Sequence, residues 1–538
     1  MTTPDLHRPQ LHARPRTGWV NDPCGVGRWD GRWHVMCQHN PVGTAWGDIE
    51  WAHLSSTDLV TWRTHPPALV PRPGTIDEDG VWTGVAHVVD GEPALVYTAV
   101  PVGGAAQARV AIARRTAADA WRQPDEVVTP PSPEGVRDVR DPYLFTWRGR
   151  RLAVQGGGTA DGVALLLLFD ADDLDHWRPL GTLLRGDDPV AAQYAPGAIW
   201  ECPQLVPVGE DWVLLLSLWD SEAAAALGHG PQRVAWLLGG LEPTEDDGVG
   251  AGVRFVPRAG GPIDDGPAFY APQAVLDLAD VEQKRSGSAT SRVLLWGWAW
   301  EADGVAPPPN LSERDWTGTL TYPRTLDVAG DRVVTALAPE VLAAHGDLHP
   351  HDGETGDRVW LAVAEASVAG AGCADAASPA PGGAVDTSGT RPAAGAPRQA
   401  GSEPPRHTVR VALAGPDGER EVWTGVGADV LVAVDHSILE AFVDGQAHTE
   451  RVYPRPSERW VVTARDGDGA ASGRLAVVRP EVLARTERDG DGAASGRLAV
   501  VRPEVLARTE RDGEHRGAAP TDEVEQTPDA RSAEAVRP

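Results

Sequence analysis

The sequence predicts an all-β chain, and three observations predict it. Helical periodicity is scarce through the first 330 residues. Short apolar runs stand in its place, separated by Gly, Asp and Pro clusters that favour turns. Trp is abundant, at 21 residues, while Phe, Tyr and Met are few. Large flat indoles suit the space between packed sheets, and a minority suit a sugar site, because an indole face stacks on the apolar face of a sugar ring.

The apolar runs come in order at 32–37, 94–99, 151–154, 163–169, 212–218 and 293–298. Close spacing with polar turns reads as a sandwich, barrel or propeller over 1–330. A second β-rich region, 331–480, carries runs at 358–364, 408–413, 430–434, 439–443 and 460–463. Within it, 367–405 is rich in Ala, Gly, Ser and Pro and too poor in apolar surface to order itself. It is expected to be a flexible surface insertion. The segment 465–487 is repeated without change at 488–510. Two units do not make a solenoid. The first copy supplies a last strand at 475–478, and 481–538 is expected to be a poorly ordered tail.

Acidic residues number 77 against 48 basic, a net charge of -29. That excess argues against nucleic acid or an anionic membrane as partner and favours a small neutral substrate. No apolar run is long enough to span a bilayer, and the N-terminus lacks a signal pattern. Four cysteines without a CxxC pair give no metal site. Together these features suggest a cytoplasmic setting.

Three acidic motifs stand in fixed order: Trp19-Val20-Asn21-Asp22-Pro23, Arg140-Asp141-Pro142 and Trp200-Glu201-Cys202-Pro203. Singly, each Asp-Pro also reads as an Asx turn and Glu201 as a strand-end charge. Gathered by a fold, the three carboxylates would be the equipment for cutting a glycosidic bond.

The motifs resemble those of glycoside hydrolase family 32, the β-fructofuranosidases. Trp19 to Gly25 resembles the family's W-M-N-D-P-N-G, and Gln38-His39-Asn40-Pro41 its Q-x-N-P. Trp46-Gly47 and Trp51-Ala52-His53 follow, then Trp82-Thr83-Gly84 where the family usually has F-S-G. Arg140-Asp141-Pro142 and Glu201-Cys202-Pro203 match R-D-P and E-C-P. Trp316-Thr317-Gly318 with Tyr322-Pro323-Arg324 resembles the closing segment, and Asp435 to Phe442 the D-x-S-x-x-E-x-F strand of the second domain. The resemblance covers 7–325 strongly and 326–480 more weakly.

The resemblance implies a five-bladed β-propeller followed by a β-sandwich, and a retaining glycosidase that cleaves terminal β-D-fructofuranosyl bonds, most simply in sucrose. It implies Asp22 as nucleophile, Glu201 as acid/base and Asp141 as transition-state stabiliser, with Arg140 holding Asp141 ionised. Burial beside Trp200 and the charge of Asp22 are expected to raise the pKa of Glu201. Trp19, Asn21, Gln38, Trp46, Trp82, Thr83 and Arg140 fall on substrate-contact positions, with Trp46 and Trp82 as pocket walls. His39 and His53 are read as structural. No cofactor is needed, since the leaving group departs by proton transfer.

Cys24 and Cys37 depart from the family pattern, as do Trp82 and Thr83. With Cys202, those thiols are expected near the funnel and open to thiol reagents. Sucrose 6-phosphate and short fructans stay open as substrates, as do fructosyl transfer and a non-catalytic sugar-binding role. Oligomeric state stays open too: the second domain either mediates a homodimer or braces the propeller.

Overall fold

The computed structural model describes residues 5–89, 91–117, 120–219, 233–244, 252–277, 292–301, 314–365, 406–479 and 481–485. The expected insertion at 367–405 and most of the duplicated tail lie outside them. Residues 1–490 form one compact unit.

Five largely antiparallel sheets follow one another along the chain, each built mainly from strands that are neighbours in sequence. The first strands of the five sheets are Gly18–Trp29, Gly80–Val89, Val136–Trp147, Ile199–Val208 and Phe269–Asp277. These five touch in cyclic order, first to second and so on, with the fifth returning to the first. The result is a five-bladed β-propeller with its first strands around the axis. The ring is closed by the returning chain: Trp316–Thr317 pairs in parallel with Gly18 and Trp19 on the first sheet, and Thr319–Leu320 pairs with the fifth.

Each first strand is interrupted by a register shift at a similar height: Val20/Pro23, Trp82/Gly84, around Asp141, Glu201/Gln204 and Tyr270/Gln273. Asp141, Cys202 and Ala271 have positive φ at these bulges (59, 46 and 46°). In four strands a proline follows: Pro23, Pro142, Pro203 and Pro272. Proline has no N–H to give a ladder, so it fits where pairing is broken. A bulge turns a side chain toward the axis instead of a neighbouring sheet.

Two further sheets follow, of six and four strands. They face each other over Trp360, Val411, Val432, Leu439, Trp460 and Val462, with Trp360 and Trp460 edge to face at 5.7 Å. This is the β-sandwich. The fifth propeller sheet ends at Arg332–Leu337, so the propeller runs past the expected boundary at 330. The pairing of that strand with Arg324–Ala329 fixes the correction. Glu481–Arg485 also departs from expectation. Val482 is buried in the core beneath, and Arg485 pairs with Asp58 at 3.5 Å, so the tail begins packed.

The motif residues Tyr322 to Arg324 and Asp435 to Glu440 join the domains. Arg324 donates to Glu440 at 2.9 and 2.5 Å and to Asp264 at 2.7 Å. His12, from the N-terminal strap, bridges Asp435 at 2.7 Å and Glu440 at 3.1 Å. All these side chains are buried, and every charge faces an opposite one. Among the described residues no helix is long and apolar enough to cross a membrane.

Candidate active site

The inner-strand bulges bring Asp22, Thr83, Asp141, Glu201 and Tyr270 to the axis. Asp141 is buried, while Asp22 and Glu201 keep part of their surface open. Thr83 Oγ1 donates to Asp22 Oδ2 at 2.5 Å, and Gln38 Nε2 reaches the same oxygen at 3.4 Å. The amide of Gln38 also donates to Thr83. Cys202 lies between two carboxylates, its Sγ 3.7 Å from Asp22 Oδ2 and 3.6 Å from Asp141 Oδ2. The Cys202 backbone N–H donates to Asp141 Oδ2 at 3.0 Å.

Glu201 is gripped from two sides. Arg140 donates to Oε1 through Nη2 at 2.6 Å and Nε at 3.0 Å, and Tyr270 Oη donates to Oε2 at 2.6 Å. Arg140 also lies 4.0 Å from Asp141 and favours its ionised form, as expected; its grip on Glu201 is additional. The Trp200 side chain is core, with the indole N–H on the Ala195 carbonyl at 2.9 Å.

Burial pushes the Asp22 carboxyl up to about 8, with Asp141 and Glu201 adding repulsion against the pull of Thr83. Burial likewise raises Asp141 to about 6, against the attraction of Arg140.

Trp46, 40% exposed, meets Trp82 edge to face at 6.0 Å. Trp19 meets Trp298 likewise at 5.6 Å. Asn21 Oδ1, Trp82 Nε1 and Trp298 Nε1 are buried without a hydrogen-bond partner. His39 Nε2 donates to the Thr17 carbonyl at 2.8 Å and His53 bonds His34 at 2.9 Å, both bracing strands. Cys24, Cys37 and Cys202 are buried, and burial raises each thiol well above its usual range. The expected openness to thiol reagents is therefore corrected, because the thiolate is the reactive form.

The model of the glycosyl hydrolases family 32 N-terminal domain matches residues 12–337. The chain belongs to glycoside hydrolase family 32. It is 30% identical over 362 residues to a sucrose-6-phosphate hydrolase of Klebsiella pneumoniae, covering 65% of this chain and 71% of that one. It is 28% identical to a β-fructofuranosidase, insoluble isoenzyme CWINV1, of Arabidopsis thaliana, covering 62% of this chain and 57% of that one. The chain therefore spans a little over half of such plant relatives. Among solved structures, the Bombyx mori family 32 β-fructofuranosidase superposes with a TM-score of 0.64 at 21% identity, over 88% of this chain and 94% of that one. A fructan 1-exohydrolase of Cichorium intybus gives 0.63 at 18% identity, over 88% and 97%.

Within this family 32 site, Asp22, Gln38, Thr83, Arg140, Asp141 and Glu201 form one bonded cluster. Trp46 and Trp82 form one aromatic pair, and Trp19 pairs with Trp298. Sequence reasoning missed Tyr270, Trp298 and Thr98. A signal for Tyr270 was present: Tyr270-Ala271-Pro272-Gln273 repeats the pattern of Glu201-Cys202-Pro203-Gln204 one sheet later.

Proposed function

We propose that the chain hydrolyses the terminal β-D-fructofuranosyl bond of sucrose with retention. The observation behind this reading is a cluster of three carboxyl groups at one end of the propeller axis, with Arg140 and Tyr270 both on Glu201. Asp22 is the nucleophile. Gln38, Thr83 and Cys202 all reach its Oδ2, which leaves Oδ1 for attack on the anomeric carbon. The glycosidic C–O bond breaks as the covalent fructosyl–Asp22 ester forms, and Glu201 gives its proton to the departing glucose oxygen. Glu201 then takes a proton from water, which displaces Asp22. Asp141 Oδ1 accepts fructose hydroxyls, and the unpartnered polar atoms of Asn21, Trp82 and Trp298 are filled by sugar hydroxyls. Trp46 and Trp82 flank the leaving sugar.

The reaction needs one proton on the acidic cluster. Glu201 must carry that proton when the glycosidic bond breaks, because it protonates the departing oxygen.

The test is glucose and fructose release from sucrose by the purified chain. Equal release is expected. Glucose in excess would mean transfer to a sugar acceptor, and no release would move the assignment to sucrose 6-phosphate or a fructan. Replacing Glu201 by Ala should lower turnover by about 10²–10⁴-fold, the usual weight of a general acid. Unchanged turnover would refute the assignment.

A further inference from the structure

Hydrogen bonds link the inner strands of neighbouring blades in a closed circuit around the axis. Thr83 donates to Asp22, joining the second blade to the first. Thr98 Oγ1 donates to the Thr83 carbonyl at 2.9 Å and accepts from the Asp141 N–H at 2.9 Å, joining second to third. Asp141 accepts from Cys202 N–H, joining third to fourth. Tyr270 donates to Glu201, and Gln204 Oε1 accepts from the Ala274 N–H at 3.0 Å, joining fourth to fifth.

The remaining step, from the fifth blade back to the first, is made by Gln273. Its Oε1 accepts from the Val26 N–H at 2.7 Å, and its Nε2 donates to the Gly84 carbonyl at 2.9 Å. Val26 lies four residues beyond Asp22 on the same strand, and Gly84 is bonded in sequence to Thr83, the donor to Asp22. One buried amide, 2% exposed, thus fixes the strand carrying the nucleophile and the strand carrying its hydrogen-bond donor at the same time. A primary amide meets both demands, because it offers an acceptor and a donor on one planar group. Among the described residues no hydrogen bond joins Gln273 to the three carboxylates, and Gln273 lines a cavity with Val26, Val85, Leu205 and Ala274, all beyond the bulges on their strands.

We infer that Gln273 is a positioning residue for catalysis: it sets the Asp22–Thr83 geometry by bolting the fifth blade to the first and second. The inference rests on the reading of Asp22 as nucleophile.

The experiment uses the full chain and three variants. Gln273→Met keeps the volume and removes both polar atoms. Val432→Ala opens a defect in the sandwich core instead. Asp22→Asn tests the nucleophile itself. Melting temperature, kcat, KM for sucrose and the pH profile of kcat/KM are measured for each. Gln273→Met is expected to lower kcat by up to about 100-fold, as small misplacements of reacting groups do, with KM nearly unchanged. The alkaline limb of its profile should move upward, because a loosened Thr83 bond holds the Asp22 anion less well. Val432→Ala should lose melting temperature with kcat and profile intact. Should Gln273→Met fail to fold, Gln273→Glu is read by the same criteria, since it keeps the acceptor for Val26 but opposes an oxygen to the Gly84 carbonyl. Wild-type kcat and an unmoved limb in the folded variant would overturn the inference. Full turnover in Asp22→Asn would instead overturn the nucleophile assignment.

Discussion

Asp22 shows how a single side chain is tuned by what surrounds it. Two carboxyl neighbours and burial favour its protonated form, and Thr83 favours the anion. Asp141 gains a proton at about 6 and Asp22 loses one at about 8, so the activity of the free enzyme should change with pH at both ends of that window. A bell-shaped profile of kcat/KM across that window is expected, and a flat profile to pH 10 would contradict it. Thr83→Val removes the bond that lowers the Asp22 pKa. The alkaline limb should rise and kcat/KM should fall by roughly ten-fold or more, since a hydrogen bond to a charged group contributes about 1.5–3 kcal/mol. The three carboxylates were legible in the sequence because each sits in a motif with a proline. The second partner of Arg140 was not legible. Adjacency in sequence suggested Asp141, which it does face, but the hydrogen bonds of the guanidinium go to Glu201 on the next blade, a contact that only the fold creates.

At the scale of strands, the all-β reading followed from short apolar runs, and the observed strands cover those runs. The bulges were less visible, because one unpaired residue leaves no composition signal. The repeated Xaa-Pro pattern is their trace in the sequence. The Gly156-Gly157-Gly158 run shows another constraint hidden in composition. A Cβ on Gly156 would lie 2.1 Å from the Trp200 carbonyl, and one on Gly158 would lie 2.1 Å from the Ala198 carbonyl. The third and fourth blades therefore touch backbone to backbone, just before Glu201. Gly156→Ala must push that strand away. It is expected to destabilise the protein by about 1–3 kcal/mol, as overpacking does, and to lower kcat as well. Thermal melts and sucrose turnover on the same sample check both, and a neutral result in either would count against this contact.

Across the whole molecule, the two domains are held by a buried ionic cluster whose members respond to pH in opposite directions. Although burial opposes ionisation, Arg324 and His12 depress the carboxyls of Asp264, Asp435 and Glu440. Their contribution is present above the unfolded carboxylate value, ~4, and is lost as pH falls. His12 is raised by Asp435 and Glu440 against the cost of burial. Its contribution is present below ~6.5 and is lost as pH rises through its raised value. The clamp should therefore hold best between about 5 and 6.5. Glu440→Ala removes one of the two carboxylates that face each of Arg324 and His12, leaving buried charge undercompensated, and is expected to cost about 3–5 kcal/mol. Denaturant unfolding at pH 6 measures that loss, and a loss below 1 kcal/mol would contradict the clamp. The domain boundary was misplaced in the sequence by a few residues because a closing strand and a linker share the same composition.

The returning segment Trp316–Thr317 has a consequence for synthesis. A nascent chain leaving the ribosome carries all three carboxylates once residue 201 has emerged. Their geometry still depends on Gln273 and on a strand more than a hundred residues downstream of Glu201. Until that strand arrives, the first blade lacks its neighbour and the ring stays open. Chains arrested before it would hold every reactive group and no working centre.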